Sequence, residues 1–212
     1  HIPYRVPADD ELADRLPTVC GVIHSLYTAG HAPIEGRSAY DVDACAEAVR
    51  LAELLHDLLP AQPMPVSVLA LMLLTEARRP ARLDEHGDVV TLDQQDRRRW
   101  DDAAIARGIA LLNDSLRCSD GQADAYQLQA AIAAEHDRAA SYDDTDWTGI
   151  LRLYDLLVSI APSHAAGLGR VVAAAEAADP ATGLAMLAEL PPSPRWHAVR
   201  AELLAREGRY AE

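Results

Sequence analysis

The segment DTDWTG at residues 144–149 has the spacing of oxygen ligands that could bind a calcium ion. In a calcium-binding loop Asp144 would stand at the first position, Gly149 at the sharp turn and Asp155 at the last position. The apolar residues from Trp147 onwards, however, follow helical spacing straight through this loop. A helix whose amino end is capped by Asp144 or Thr145 explains the same residues, and we favour this interpretation.

The eight histidines do not form a recognisable metal or catalytic motif. None lies in an HExxH pattern, and none pairs with another at a spacing of four residues. Gly167-Leu-Gly169 lacks the third glycine of a dinucleotide-binding turn, and the sequence has no GxSxG motif and no phosphate-binding loop. We therefore predict no catalytic residue, no cofactor-binding residue and no metal site, and we do not expect an enzyme.

Six arginines lie in two groups on either side of a short polar segment. On a helix, three consecutive residues point about 100° apart, so the second group cannot form one basic face. Nearby acidic residues such as Asp96 and Asp101 are close enough in sequence to form ion pairs with them. Structural ion pairing is the main expectation, and the same six residues are our candidates for contacting a protein partner: Arg78, Arg79, Arg82, Arg97, Arg98 and Arg99.

Composition limits the classes of partner. The net charge is −14, half of the residues are hydrophobic, and phenylalanine is absent. Duplex DNA is a polyanion that binds mainly basic surfaces, so we expect no direct nucleic acid contact and instead protein partners with basic surfaces.

No apolar run reaches the roughly 18 residues of a membrane span. The three widely spaced cysteines indicate neither a disulfide framework nor zinc, which favours a cytoplasmic location.

Hydrophobic spacing predicts an all-α fold of stacked antiparallel helix pairs. Between residues 80 and 92 the periodicity changes, which predicts a small β-hairpin or an extended loop. Residues 1–8 are interpreted as the end of a linker, 9–140 as one helical domain, and 141–212 as tetratricopeptide-like helical pairs truncated at the carboxyl end. Helices are expected near residues 9–30, 42–59, 66–77, 96–116, 123–136, 146–161, 164–177, 180–189 and 195–207.

Four segments in this order resemble the C-terminal extension of a group of bacterial extracytoplasmic-function (ECF) sigma factors. Members of that group carry tetratricopeptide-like helices after two DNA-reading domains, and the resemblance covers nearly the whole chain. The sequence departs from the pattern at residues 23–31 (IHSLYTAGH), where many members have a run similar to Asn-Glu-Gly-Tyr. The matching segments are residues 77–82 (ARRPAR), 92–101 (LDQQDRRRWD), 126–136 (YQLQAAIAAEH) and 144–157 (DTDWTGILRLYDLL).

The resemblance implies a non-catalytic regulatory and protein-interaction domain that modulates transcription initiation by RNA polymerase. It implies that the DNA-reading domains precede His1, and that they and RNA polymerase are partners. DGPF-domain proteins, commonly encoded nearby in this family, are further candidate partners. The alternative is a free-standing acidic helical adaptor that binds a protein partner, which would need an initiator methionine close to His1.

Overall fold

The computed structural model describes residues 9–31, 41–119 and 121–209, and in these residues the all-α prediction is confirmed. The predicted linker at residues 1–8, the loop around Pro33 and Gly36, and the chain end from Tyr210 lie outside the described residues. Two short 3-10 turns occupy Leu92–Gln94 and Arg97–Arg99. The α-helices are α1 (Asp9–His31), α2 (Val42–Leu58), α3 (Pro63–Ala77), α4 (Arg79–Arg82), α5 (Asp102–Arg117), α6 (Ala125–Arg138), α7 (Trp147–Ile160), α8 (His164–Ala177), α9 (Pro180–Leu187) and α10 (Pro194–Arg206).

The described residues divide into two compact units. The first unit ends at Ala130 and the second begins at Ala131, so the division falls within α6. The domain boundary predicted after residue 140 lies beyond the end of this helix and stays a prediction.

Helix α3 is the central element of the first unit. Its sequence from Val66 to Ala77 is almost wholly apolar, and the predicted burial on most sides is confirmed, since nearly every residue of this stretch is buried. Helices α1, α2 and α5 pack around it. A methyl group on Gly108 of α5 would lie 2.7 Å from Cγ of Leu74, so the missing side chain allows these two helices to approach closely.

The segment that was expected to form a β-hairpin is a helical turn followed by a tight loop. Leu83 and Val89 form a single antiparallel bridge, and the described residues contain no β-strand. The Asp84 carboxylate accepts hydrogen bonds of 2.9 Å from the backbone N–H groups two and four residues later. These side-chain bonds stabilise the turn, and backbone bonds from Asp84 N–H to the Asp88 carbonyl (3.0 Å) and from Val90 N–H to the Arg82 carbonyl (2.8 Å) join its two sides. The ladder is no longer than this because α4 ends at Arg82 and a 3-10 turn begins at Leu92.

The helix expected from about residue 96 begins at Asp102 instead. The side chain of Asp96 caps the 3-10 turn Arg97–Arg99, and the side chain of Asp101 caps α5. Between the two caps, Trp100 has an extended backbone with φ −70° and ψ 152°. Two aspartate caps five positions apart therefore divide a stretch whose hydrophobic spacing alone is compatible with one helix.

The second unit contains the helices that were expected from residue 146 onwards, and the four are confirmed as α7–α10. Helix α7 packs on α8, α8 on α9, and α9 on α10. The cap of α7 is Asp146, whose carboxylate accepts from the backbone N–H of Gly149 at 2.8 Å, and not Asp144 or Thr145 as predicted. The core of this unit is aliphatic and centres on Leu168, Val171, Ala175, Leu187 and Leu203.

Candidate functional site

Polar side chains meet at the amino end of α6 in the first unit. The Oδ1 atom of Asp124 accepts hydrogen bonds from the backbone N–H of Tyr126 at 2.7 Å and of Gln127 at 2.8 Å. In return, Oε1 of Gln127 accepts from the backbone N–H of Asp124 at 2.8 Å. This reciprocal pairing is a capping box, which satisfies backbone donors that the helix itself leaves free.

The amide of Gln127 also links α6 to α5. Its Nε2 atom donates to Oγ of Ser115 and to Oγ of Ser119, both at 2.7 Å. Ser115 in turn donates to the carbonyl of Pro63 at 2.8 Å, at the start of α3. Because Gln127 is only 1% exposed, these bonds replace water contacts that its amide cannot make.

Ser67 of α3 completes this group, which we call the α6 polar cluster (Ser67, Ser115, Ser119, Asp124 and Gln127). The Ser67 hydroxyl is fully buried and lies 3.2 Å from Oδ2 of Asp124 and 2.9 Å from the carbonyl of Met64. Burial raises the pKa of the Asp124 carboxyl, while the hydrogen bonds from Gln127, Tyr126 and Ser67 act in the opposite direction. Among the described residues, no cationic side chain pairs with Asp124.

An open cavity of about 560 Å³ lies beside the α6 polar cluster. Leu16 and Pro17 of α1 line one part of it, and Met64 at the start of α3 lines another. Cys118, directly after α5, and Asp124, directly before α6, line a third part. The cavity therefore combines apolar walls with a carboxylate and a thiol.

Cys20 and His24 of α1 do not form an activated nucleophile. Burial and the negative charge of Asp124 raise the pKa of the Cys20 thiol to about 11, so the thiol is protonated near neutral pH. His24 contacts the ring of Tyr126 edge-on, with ring centres 5.2 Å apart, and burial lowers its pKa. These residues are packing groups of the α1–α6 contact.

The three cysteines are expected to differ sharply in their reaction with the thiol reagent DTNB. Cys20 and Cys45 are fully buried and Cys118 is exposed, so the native protein should release one thiol equivalent quickly. The other two should react only after unfolding in guanidinium chloride. The Cys118→Ser variant should lose the fast phase, and a fast phase that persists in this variant would contradict the assignment.

The first three of the six predicted contact arginines each have a different environment in the structure. Arg79 forms an ion pair with Glu76 at 3.3 Å. The guanidinium of Arg82 contacts the ring of His31 and donates to the His31 carbonyl at 2.8 Å. Arg78 is half-buried, and its positive charge, like that of Arg82, adds to the effect of burial in lowering the pKa of His31.

The second group of arginines lies on the 3-10 turn before α5. Arg97 stacks over the ring of Trp100 at 4.6 Å from its centre, and Arg98 pairs with Asp96 at 2.9 Å. Arg99 is exposed. The expected ion pairing with a nearby aspartate is confirmed for Arg98, whereas Arg79 pairs with Glu76, which the prediction did not name. The expected packing of Trp100 is confirmed by its 6% exposure. A role of the six arginines in contacting a partner stays a prediction.

The end of α1 forms a second polar contact with α3 and α4, which sequence reasoning missed. The Tyr27 hydroxyl donates to Oε1 of Glu76 at 2.9 Å and lies 3.3 Å from Nδ1 of His31. Burial, followed by the charges of Arg82 and Arg78, lowers the pKa of His31 to about 3. His31 is therefore neutral in the folded protein at physiological pH.

Acidification from pH 7 to pH 5 is expected to destabilise the first unit through His31. Its folded pKa of about 3 lies below the ordinary value of 6.5, so the unfolded chain takes up the proton first. The stabilisation is complete above pH 6.5 and decreases as the pH falls towards 3. The expected loss at pH 5 is on the order of 1–2 kcal/mol, after allowance for partial solvent exposure.

Urea unfolding at a series of pH values measures this loss. His24 acts in the same direction, because burial lowers its pKa as well. The matched variant is therefore His31→Asn, which keeps His24 and should show a smaller dependence on pH. An equal dependence in both proteins would exclude His31 as a source.

The comparisons with known proteins support relatedness to proteins whose role is not assigned. Residues 15–116 match the model of a family of unknown function, DUF6596. The chain is 36% identical over 215 residues to an uncharacterized protein of Rhizobium meliloti (strain 1021). That match covers 100% of this chain and 50% of the relative, so the chain spans about half the length of this curated protein. No solved structure matches the chain significantly.

Two further properties concern the described part of the chain only. None of its helices combines the length and the apolar character that crossing a bilayer requires. Nowhere in it do three histidine, cysteine or acidic side chains come together as a group that could hold a metal ion. The acidic segment at residues 144–149 instead supplies the cap of α7.

Proposed function

We propose that this chain is the non-catalytic regulatory and protein-interaction part of a bacterial ECF sigma factor, located in the cytoplasm, and that it modulates transcription initiation by RNA polymerase. The observation that carries the proposal is the order of four motifs, ARRPAR, LDQQDRRRWD, YQLQAAIAAEH and DTDWTGILRLYDLL. The Rhizobium meliloti relative supports the proposal, because half of that protein lies outside the part that matches this chain, as is required if the chain is an extension of a longer protein.

We further propose that α7–α10 are tetratricopeptide-like pairs that present a surface to a protein partner. Short connections at residues 161–163 and 178–179 favour antiparallel neighbours in such a stack. Leu156 and Ile160 lie one turn apart on α7 and are 54% and 52% exposed. Exposed apolar side chains at this spacing suit contact with another helix or peptide.

The proposed mechanism follows from charge. A chain with net charge −14 is attracted to basic surfaces, and the DNA-reading domains of a sigma factor must themselves bind a polyanion. We propose that the acidic chain docks on those domains and sets their relative orientation on RNA polymerase. A DGPF-domain protein is a further candidate for binding this chain.

The test uses the full-length protein that contains this chain. Purified full-length protein should form a complex with core RNA polymerase in gel filtration and should compete with the housekeeping sigma factor. Failure to bind the core enzyme would overturn the proposal and favour the free-standing acidic adaptor.

A second measurement then tests the chain itself. In vitro transcription compares the full-length protein with a version that ends just before Pro7, on a promoter that the full-length protein recognises. We expect the truncation to change the yield of transcript. Equal yields from both proteins would contradict a regulatory role.

The arginines provide a finer comparison in the same assay. Arg98 and Arg99 are exposed and lie beside each other in the 3-10 turn, so the double replacement by alanine leaves the core intact. Arg50 and Arg138 are exposed or half-exposed elsewhere and supply a control pair with the same change of charge. If Arg98 and Arg99 contact a protein partner, replacing them should alter the transcript yield, whereas replacing Arg50 and Arg138 should not.

A further inference from the structure

The cavity beside the α6 polar cluster has the size and the mixed lining of a small-molecule site. Its volume of about 560 Å³ falls within the roughly 300–1,000 Å³ that is typical of ligand pockets. Leu16, Pro17 and Met64 supply apolar surface, whereas Asp124 and Gln127 supply polar groups. Such sites commonly combine hydrophobic walls with a few polar groups that orient the ligand.

Asp124 retains capacity to accept further hydrogen bonds. Both of its backbone donors reach Oδ1, and the donor nearest to Oδ2 is the Ser67 hydroxyl at 3.2 Å. That hydroxyl is shared with the carbonyl of Met64, at the shorter distance of 2.9 Å. Since an ionised carboxylate offers about four acceptor sites, Oδ2 can take at least one more donor. Gln127, by contrast, has both amide hydrogens and its oxygen engaged.

The charge of Asp124 also lacks a counterion among the described residues. Burial raises the pKa of both Cys20 and Tyr126, and the negative charge of Asp124 acts on both groups in the same direction. A cation bound at Asp124 would offset the cost of burying the carboxylate. The overall net charge of −14 adds a general attraction for cations from solution.

We propose that this cavity binds a small organic cation, an alkylammonium or alkylguanidinium, whose charged head donates hydrogen bonds to Asp124. The hydrocarbon part of the ligand lies against Leu16, Pro17 and Met64. An anion would be repelled by the carboxylate, and a neutral alcohol could donate a hydrogen bond but would leave the negative charge of Asp124 without a counterion. The inference does not depend on the proposed role in transcription, because binding is measured on the isolated chain in the absence of RNA polymerase.

The test is a titration of the full chain with four compounds of equal alkyl length. Butylammonium and butylguanidinium are the cationic probes, and butanol and pentanoate are the neutral and anionic controls, each with a butyl chain. NMR chemical-shift changes or isothermal titration calorimetry reports binding. We expect saturable binding of the two cations only.

The Asp124→Asn variant removes the negative charge of the cavity while keeping the protein folded. Asparagine caps helices about as well as aspartate through Oδ1, and the amide nitrogen in place of Oδ2 can donate to the Ser67 hydroxyl, so the variant keeps the structure of the helix end. We expect at least about a tenfold weaker binding of both cations, as is typical for loss of a charged hydrogen-bond partner. The matched control is Asp101→Asn, which changes the cap of α5 without changing the cavity lining.

Cys118 supplies an independent readout, because this exposed thiol belongs to the cavity wall. Occupancy of the cavity should slow its reaction with DTNB in the wild-type chain and in Asp101→Asn, but not in Asp124→Asn. Thermal unfolding of each variant verifies that it is folded. Lack of saturable cation binding to the folded wild-type chain, or equal binding to Asp124→Asn, would overturn the proposal.

Discussion

Replacement of Gln127 by alanine is expected to lower the free energy of unfolding of the first unit by about 2–3 kcal/mol. The backbone N–H of Asp124 loses its acceptor, and the hydroxyls of Ser115 and Ser119 lose the amide that donates to them. The truncated side chain also leaves a void at a position that is 1% exposed. Both effects are costly because water does not readily replace a buried partner.

The matched control is Gln129→Ala on the same helix. The amide of Gln129 donates to the carbonyl of Ala125, within its own helix, at 3.1 Å, and its side chain is only half-buried. This variant should change stability by no more than about 0.5 kcal/mol.

Urea unfolding provides the comparison of the two glutamine variants. Trp100 fluorescence in a Trp147→Phe, Trp196→Phe background reports on the first unit, because the two replaced tryptophans belong to the second. Similar losses for both variants would show that the α6 polar cluster does not stabilise the unit.

Replacement of Leu74 by alanine is expected to destabilise the first unit by about 3 kcal/mol, because Leu74 is fully buried in the central helix. Gly108→Ala alone should cost about 1 kcal/mol. Its new methyl group would lie 2.7 Å from Cγ of Leu74, and the resulting strain exceeds the gain in helix propensity.

The double variant Leu74→Ala, Gly108→Ala should be more stable than Leu74→Ala alone. The methyl group on residue 108 then enters space that the leucine side chain occupied, and alanine is the better helix former. The effect of Gly108→Ala thus changes sign between the two backgrounds. The expected coupling is about 2 kcal/mol in a double-mutant cycle of urea unfolding.

A pair without this contact supplies the control for the cycle. Leu116 lies on the same helix as Gly108 and is 43% exposed, so Leu116→Ala combined with Gly108→Ala should show additive effects. Additive effects for the Leu74 pair as well would mean that the two helices do not meet at Gly108.

The sequence predicts much of the helical structure because that information is local. The apolar run from Val66 to Ala77 indicates a helix buried on most sides, and the structure agrees. The spacing of apolar residues after residue 146 predicts four helices, and α7–α10 occupy those positions. The predicted helix start near residue 96 is wrong, because the side chains of Asp96 and Asp101 cap two separate elements although the hydrophobic periodicity extends across both.

The candidate site is less predictable because it forms through tertiary contacts. Gln127 and Gln129 are indistinguishable by type, and only the packing of α6 against α5 separates their roles. Ser67 and Asp124 are 57 residues apart in sequence, and no local pattern brings them together. One local signal was present, because Asp124-Ala-Tyr-Gln127 has the spacing of a capping box.

The hydrogen bonds of Gln127 mean that its position requires a particular chemical group and not merely a particular volume. Glutamate has nearly the same shape, but its carboxylate would offer no hydrogen to Ser115 or Ser119 and would place a second negative charge beside Asp124. Asparagine has the correct group but is one methylene shorter, so it cannot hold both serines from the same backbone position. The replacement of a single nitrogen by oxygen, as in spontaneous deamidation, would therefore remove both donor contacts to the serines and add a buried charge, although the volume and the acceptor oxygen stay.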